Sequence, residues 1–147
     1  MKFSTRGQYG TRALLELALH HKGGPVPLKD IALSQQIPLQ YLQHLITPLI
    51  SGGIIRSTPG ARGGVWLARS PQEIKLSEVI GLLEGSTAPV ECVNDPKYCS
   101  RSDFCVTRDI WGELKKVMDG VLESTTLQDL VKRQKSKGQS EEGVYHI

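Results

Sequence analysis

Residues 27–50, PLKDIALSQQIPLQYLQHLITPLI, decide the fold of this chain. Pro27 precedes a short run, Leu28 to Gln35, at a place where proline suits a helix start. Ile31 and Ala32 supply the buried face of that run, and Gln36-Ile37 makes a tight connection. Pro38 opens the next run, in which Leu42, Leu45, Ile46 and Leu49 repeat on one side at helical spacing. Two short helices joined by a turn of about three to four residues form a helix-turn-helix, whose second helix enters the major groove of DNA. The outward side of that helix carries Leu39, Gln40, Tyr41, Gln43 and His44. Glutamine bonds adenine bidentately, and tyrosine reaches bases or phosphates. Pro48 lacks a backbone donor and crowds the preceding turn, so a kink or an end of the helix is predicted near it.

Upstream, Thr5 to His20 reads as an amphipathic helix, with Leu14, Leu17 and Ala18 in the stripe and Leu15 and Leu19 widening it. Ser4 or Thr5 is the predicted cap, and Gly23-Gly24-Pro25 ends the element. Arg6, Gln8, Tyr9 and Arg12 cluster at its start; taken alone they are an ordinary solvated first turn, and beside a helix-turn-helix they become candidate DNA contacts.

Downstream, Gly52-Gly53 closes the recognition helix, Ile54 to Thr58 and Val65 to Ala68 read as strands, and PGARGG, residues 59–64, is the turn between them. A glycine-dense hairpin directly after a helix-turn-helix is the wing of a winged helix. Ser57, Arg62 and Gly63 are its candidate DNA contacts, with Arg62 at the tip placed for phosphate or the minor groove. A nucleotide-phosphate cradle would need these glycines between a strand and a helix, and here they sit in a hairpin.

Leu76 to Leu83 is predicted as a short helix packing under the wing, and Gly85-Ser86 releases the chain into a polar segment. Asp103 to Leu122 then reads as one long helix. Val106, Ile110, Leu114, Val117 and Val121 fall near coiled-coil spacing on it, with Trp111 and Met118 enlarging the stripe. The chain left after that stripe is too short to cover it, so a second copy is expected there. Thr125-Thr126 caps a last short helix, Leu127 to Lys132, and the polar residues from Gln134 onward read as a frayed tail.

The fold expected is therefore mainly α with a small β-hairpin wing. Its parts are a winged helix-turn-helix over residues 1–85, a cysteine-containing loop over 86–106, a dimerisation helix with a C-terminal helix over 103–132, and a flexible tail over 133–147. Charge follows this division. Residues 1–75 hold nine Lys/Arg against three Asp/Glu, and residues 76–147 hold nine against twelve. A basic head on a weakly acidic body fits nucleic-acid binding.

All three cysteines lie in ECVNDPKYCSRSDFCV, residues 91–106: Cys92, Cys99 and Cys105. An odd number cannot close into disulfides within one chain. Thiolates ligate zinc and iron–sulfur clusters, and spacings of six and five residues let a short loop wrap one ion or cluster. Three ligands leave a fourth position to be filled from elsewhere. Zinc is disfavoured, because structural sites use four Cys or His in tighter pairs. Free thiols sensing oxidants are the competing expectation, with Lys97, Arg101 and Arg108 placed to lower a thiol pKa. MKFSTRGQYG lacks a signal-peptide core, and no apolar run approaches a membrane span, so a cytoplasmic protein without a membrane role is expected. A small enzyme is the other class weighed. The sequence offers no nucleophile–base pair, and His20, His21, His44 and His146 form no ligand pattern.

STRGQYGTRALLELAL, VPLKDIALSQQIPLQYLQHLITPL, PGARGGVWLARSP, LSEVIGLLEG and the cysteine triad together resemble the Rrf2 family of bacterial winged-helix transcription regulators, and within it the IscR type. The resemblance covers about residues 1–132. It implies a homodimer on a palindromic double-stranded DNA operator, crossing its partner through the long helix. It further implies an iron–sulfur cluster held by Cys92, Cys99 and Cys105, 2Fe–2S in preference to 4Fe–4S. The targets it suggests are genes of cluster assembly or stress. By position it assigns Gln40, Tyr41 and Gln43 to the recognition helix, with Arg6 and Tyr9 near the DNA backbone. Two positions depart from the family pattern. The histidine expected three residues after the last cysteine is Arg108, and the aspartate that nitric-oxide-sensing members use near the start of the first helix is Gln8. Asp109, Asp103, a partner residue or solvent remain open as the fourth ligand. Many members also place Arg before the first glycine of the wing, where this chain has Pro59, and Arg62 is the candidate replacement.

Overall fold

The computed structural model describes residues 2–145, the side chains of 139–145 excepted. In order come α1 (Thr5–Leu19), α2 (Leu28–Gln35), α3 (Leu39–Ser51), β1 (Ile55–Thr58), β2 (Gly64–Leu67), α4 (Leu76–Leu83), the one-turn α5 (Glu91–Asn94), α6 (Val106–Glu123) and α7 (Leu127–Tyr145). This is a mostly helical winged helix with a two-stranded antiparallel wing. His146 falls outside the described residues. Among those described, no helix is long and apolar enough to cross a membrane.

The stripes seen in the sequence meet in one core. Leu14, Ile31, Leu42, Leu45, Leu49, Ile54, Ile55, Ile74, Val79 and Leu127 are all fully buried in it. Removing that much apolar surface from water is the main force holding α1 to α4 together. The turn between α2 and α3 is closed by Gln36 in the left-handed region, φ 55°, while the Ile37 amide donates to the Ala32 carbonyl at 2.9 Å. β1 pairs with β2 in the register Ile55–Leu67 to Thr58–Gly64. The base of the wing is tied back by mutual backbone hydrogen bonds between Val26 and Val65, both 2.9 Å. A methyl group on Gly64 would lie 2.4 Å from the Val26 carbonyl oxygen, so only glycine permits that approach.

α4, α6 and α7 differ from the sequence expectation. α4 packs chiefly against α1, α3 and α6, not under the wing. Gly10 makes this contact possible, since a Cβ there would sit 2.3 Å from a Leu83 methyl. α3, by contrast, ends as expected, at Ser51 just past Pro48 with Gly52 as its C-cap. α6 begins at Val106 rather than Asp103, because Ser102–Phe104 is a separate 3₁₀ turn and Cys105 is the N-cap. Finally, α7 continues beyond Lys132 to Tyr145: its Lys, Gln and Glu residues are good helix formers, and polarity alone does not stop a helix. Thr126 and Asp129 cap it reciprocally, with the Asp129 amide donating to Thr126 Oγ1 at 3.2 Å and the Thr126 amide to Asp129 Oδ2 at 2.9 Å.

Candidate nucleic-acid interface and cysteine segment

On α3, the spacing that buries Leu42, Leu45, Ile46 and Leu49 turns Leu39, Gln40, Gln43 and His44 outward, and all four are exposed. Tyr41 is placed differently. It is half-buried, its ring meets Tyr9 edge-on with centroids 5.8 Å apart, and its hydroxyl lies 2.9 Å from Thr5 Oγ1. Arg12 lies over the Tyr9 ring, 5.2 Å from its centroid, and its guanidinium donates to the Gln35 carbonyl. Gln35 Nε2 in turn donates to Glu16 at 2.7 Å. This polar chain fixes the helix-turn-helix corner from α1, and Tyr9 and Tyr41 belong to it. Arg6 is exposed on the first turn of α1 beside them.

On the wing, Ser57 and Arg62 are exposed. Gly63 is partly covered, and a Cβ on it would lie 2.2 Å from the Thr58 carbonyl oxygen, so the turn itself requires glycine there. Arg56 joins this surface as an exposed strand residue that the sequence reading missed, although strand alternation with buried Ile55 could have pointed to it. Among the described residues Arg6, Arg56 and Arg62 form no ion pair, whereas Arg69 is engaged by Glu78 at 2.6 Å. These three exposed cations lie on α1 and the wing, and α1 and β1 both pack against the α3 that carries the exposed amide and imidazole groups, an arrangement suited to phosphates beside a read groove.

The cysteine segment is a string of single turns. Cys92 lies in α5, Cys99 follows the 3₁₀ turn Pro96–Tyr98, and Cys105 precedes α6. All three are free thiols, partly exposed. Asp95 accepts from the Lys97 amide at 3.0 Å, Ser86 Oγ donates to Asn94 at 2.6 Å, and the buried Ser102 hydroxyl donates to the Cys99 carbonyl at 2.9 Å. Arg108 Nε donates to the Cys92 carbonyl at 2.9 Å, drawing the first and last turns of the segment together. The Thr107 hydroxyl, 3.1 Å away, and then the Arg108 backbone amide hold the Cys105 thiol below its ordinary pKa, with Arg101 adding to the effect.

In kind, this donor set suits an iron–sulfur cluster: three soft donors that ionise to thiolates, on one short segment that also carries Arg101 and Arg108. In number it offers three cysteines. Asp103 and Asp109 are exposed nearby, and Gln8 donates to the Phe3 carbonyl at 3.0 Å. Among the described residues no three Cys, His, Asp or Glu side chains converge on a single metal position.

On α6, Val106 is 75% exposed, Ile110 50%, Leu114 37%, Val117 66% and Val121 59%, while Leu122 is the helix's one buried residue. The chain's own core therefore leaves this stripe uncovered.

Residues 3–133 match the family described as Rrf2, iron-dependent transcriptional regulator. The chain is similar to Protein rrf2 of Nitratidesulfovibrio vulgaris, 46% identical over 132 residues, which cover 90% of this chain and 88% of that protein. Its structure is similar to that of CymR, the global cysteine regulator of B. subtilis, with a TM-score of 0.77 and 36% identity over 90% of this chain and 98% of that one. It is likewise similar to T. potens IscR, with a TM-score of 0.75 and 40% identity over 91% and 88%.

Proposed function

We propose, from the premise that this chain belongs to the Rrf2 family of DNA-binding transcription regulators, that its grip on an operator is set by an iron–sulfur cluster on Cys92, Cys99 and Cys105. The observation that carries this reading is position. All three thiols lie on the one segment joining α4, which packs on the DNA-reading head, to α6, whose apolar stripe is uncovered. Two copies pairing through that stripe form a homodimer in the cytoplasm and present two α3 helices to the half-sites of a palindrome. Half-sites one turn apart, about 34–36 Å, make the distance between the two helices decisive. A bound cluster supplies redox responsiveness and a change of local charge. The chain's own part is to hold the cluster with the three cysteines, to tie the segment through Arg108, and to pass its order to α4 and α6. An effector shifts such an equilibrium only by binding one arrangement better than the other.

Selecting duplexes from a random pool with anaerobically reconstituted and with chelator-stripped protein tests this directly. The two forms are expected to enrich different operators, or one operator with affinities about tenfold apart. Identical enrichment and affinity would remove the sensing role.

At the interface, Gln40, Gln43 and His44 read bases, while Arg6, Arg56 and Arg62 neutralise phosphates and Tyr9 and Tyr41 brace the corner. Gln43→Ala is expected to relax preference at one base pair, costing about 1–3 kcal/mol there. Non-specific affinity, read from the salt dependence on random duplex, is expected to stay level. Equal losses on every sequence would contradict base reading.

A second reading uses the thiols themselves. Their partial exposure beside Arg101 and Arg108, and the likeness to a cysteine regulator, support reversible oxidation as the switch. Under that reading, operator affinity follows peroxide and thiol treatment in metal-free protein.

A further inference from the structure

We infer that Glu84, the C-cap of α4 just ahead of the cysteine segment, is the positioning residue that couples that segment to the DNA-reading head. Glu84 caps the C-terminus of α4, and Gly85 follows it at φ 81°. Its carboxylate reaches across the fold to the start of α1. There Oε1 accepts three hydrogen bonds, from the Ser4 amide at 2.7 Å, the Ser4 hydroxyl at 2.6 Å and the Gly7 amide at 3.0 Å.

α1 has no local means of doing this. Its first turn contains no acidic residue, and the Ser4 hydroxyl caps nothing within its own helix, because it donates to Glu84. The first turn of a helix leaves backbone amides unpaired and carries a partial positive charge, so a carboxylate there is a strong local partner. A carboxylate that accepts three donors is also held in one place. Gly7 supplies the room, since a Cβ on it would lie 2.5 Å from Oε1.

The turn held in this way carries the exposed Arg6, and its Thr5 meets the Tyr41 hydroxyl of the recognition helix at 2.9 Å. On the other side, the chain leaving Glu84 is anchored to α6. Thr87 donates to Asp119, which also accepts from Lys115 at 2.5 Å. A change of order between Gly85 and Cys92 therefore reaches Glu84 through the chain that leaves it, beside Lys2 and Phe3 at the start of the head. Displacing Glu84 frees the first turn of α1 and, through Thr5, the start of α3.

This coupling rests on the cysteine-segment reading above, and the test separates the two. Operator affinity is measured for the full chain, reconstituted anaerobically with iron and sulfide and then stripped by chelator, in wild type, Glu84→Ala and Glu84→Gln. Wild type is expected to differ between the two states by about tenfold, and Glu84→Ala by less than about twofold. Linkage is reciprocal, so operator DNA is also expected to shift the equilibrium chelator concentration that removes half the iron from wild type by the same factor of about ten, and to leave that midpoint unchanged in Glu84→Ala. A purely structural role would lower the melting temperature without erasing either difference. Should Glu84→Ala not fold, Glu84→Gln, which keeps volume and one acceptor oxygen, carries the comparison with a reduced ratio. A wild-type ratio of one overturns the cysteine-segment reading and this coupling with it. A wild-type shift that both Glu84 variants retain in full overturns the coupling alone.

Discussion

Val117→Glu is expected to give a folded monomer that has lost about a thousandfold in operator affinity, because one reading head then replaces two linked ones. Val117 is 66% exposed and no residue of its stripe belongs to the chain's own core, so the substitution removes little intramolecular packing. Glutamate is also a good helix former, which leaves α6 intact. Across a twofold seam the same change meets itself: each copy brings one carboxylate into the apolar contact, and an isolated ionised group there costs far more than a methyl group contributes. Equilibrium sedimentation and anisotropy on the selected operator check the two halves of the expectation. A Val117→Glu chain that still sediments as a dimer would place the seam somewhere other than α6.

That stripe was legible in the sequence because its spacing is local, and the same holds for α2 and α4, whose observed bounds match the expected ones at Leu28–Gln35 and Leu76–Leu83. Pro27 marks the start of α2, and Gly85 follows directly on the C-cap of α4. Contacts between distant residues were not legible. Nothing near Ser4 announces that its cap comes from Glu84, eighty residues away. Nor does any helical wheel show Tyr41 turning inward to Thr5 and Tyr9, since it sits at the border of the apolar stripe, where packing decides the side. Arg108 illustrates a third limit. Its identity told what it could not do, which was ligate a metal, and only the fold gave it a task, tying the Cys92 backbone to α6.

Under cluster sensing, wild type is expected to hold about two irons per chain after anaerobic reconstitution, for a 2Fe–2S cluster, and Cys99→Ala to retain none. The expectation follows from the donor count. Losing one of three thiols leaves the segment two cysteine donors beside whatever fills the fourth position, too few to hold a cluster against chelator or water. Cys99 is the informative choice because its carbonyl, not its thiol, is what Ser102 engages, so the turn keeps its hydrogen bonds when the sulfur goes. Operator affinity of the stripped variant is therefore expected to match that of stripped wild type. The two readings of the segment part on this variant. Under cluster sensing, Cys99→Ala behaves as permanently stripped protein whatever the oxidant. Under thiol sensing, wild type never acquires iron or visible absorption, and the variant still responds to peroxide if Cys92 and Cys105 are the pair that oxidises. A colourless, iron-free wild type after reconstitution would thus leave the DNA-binding regulator standing and pass the switch to its thiols.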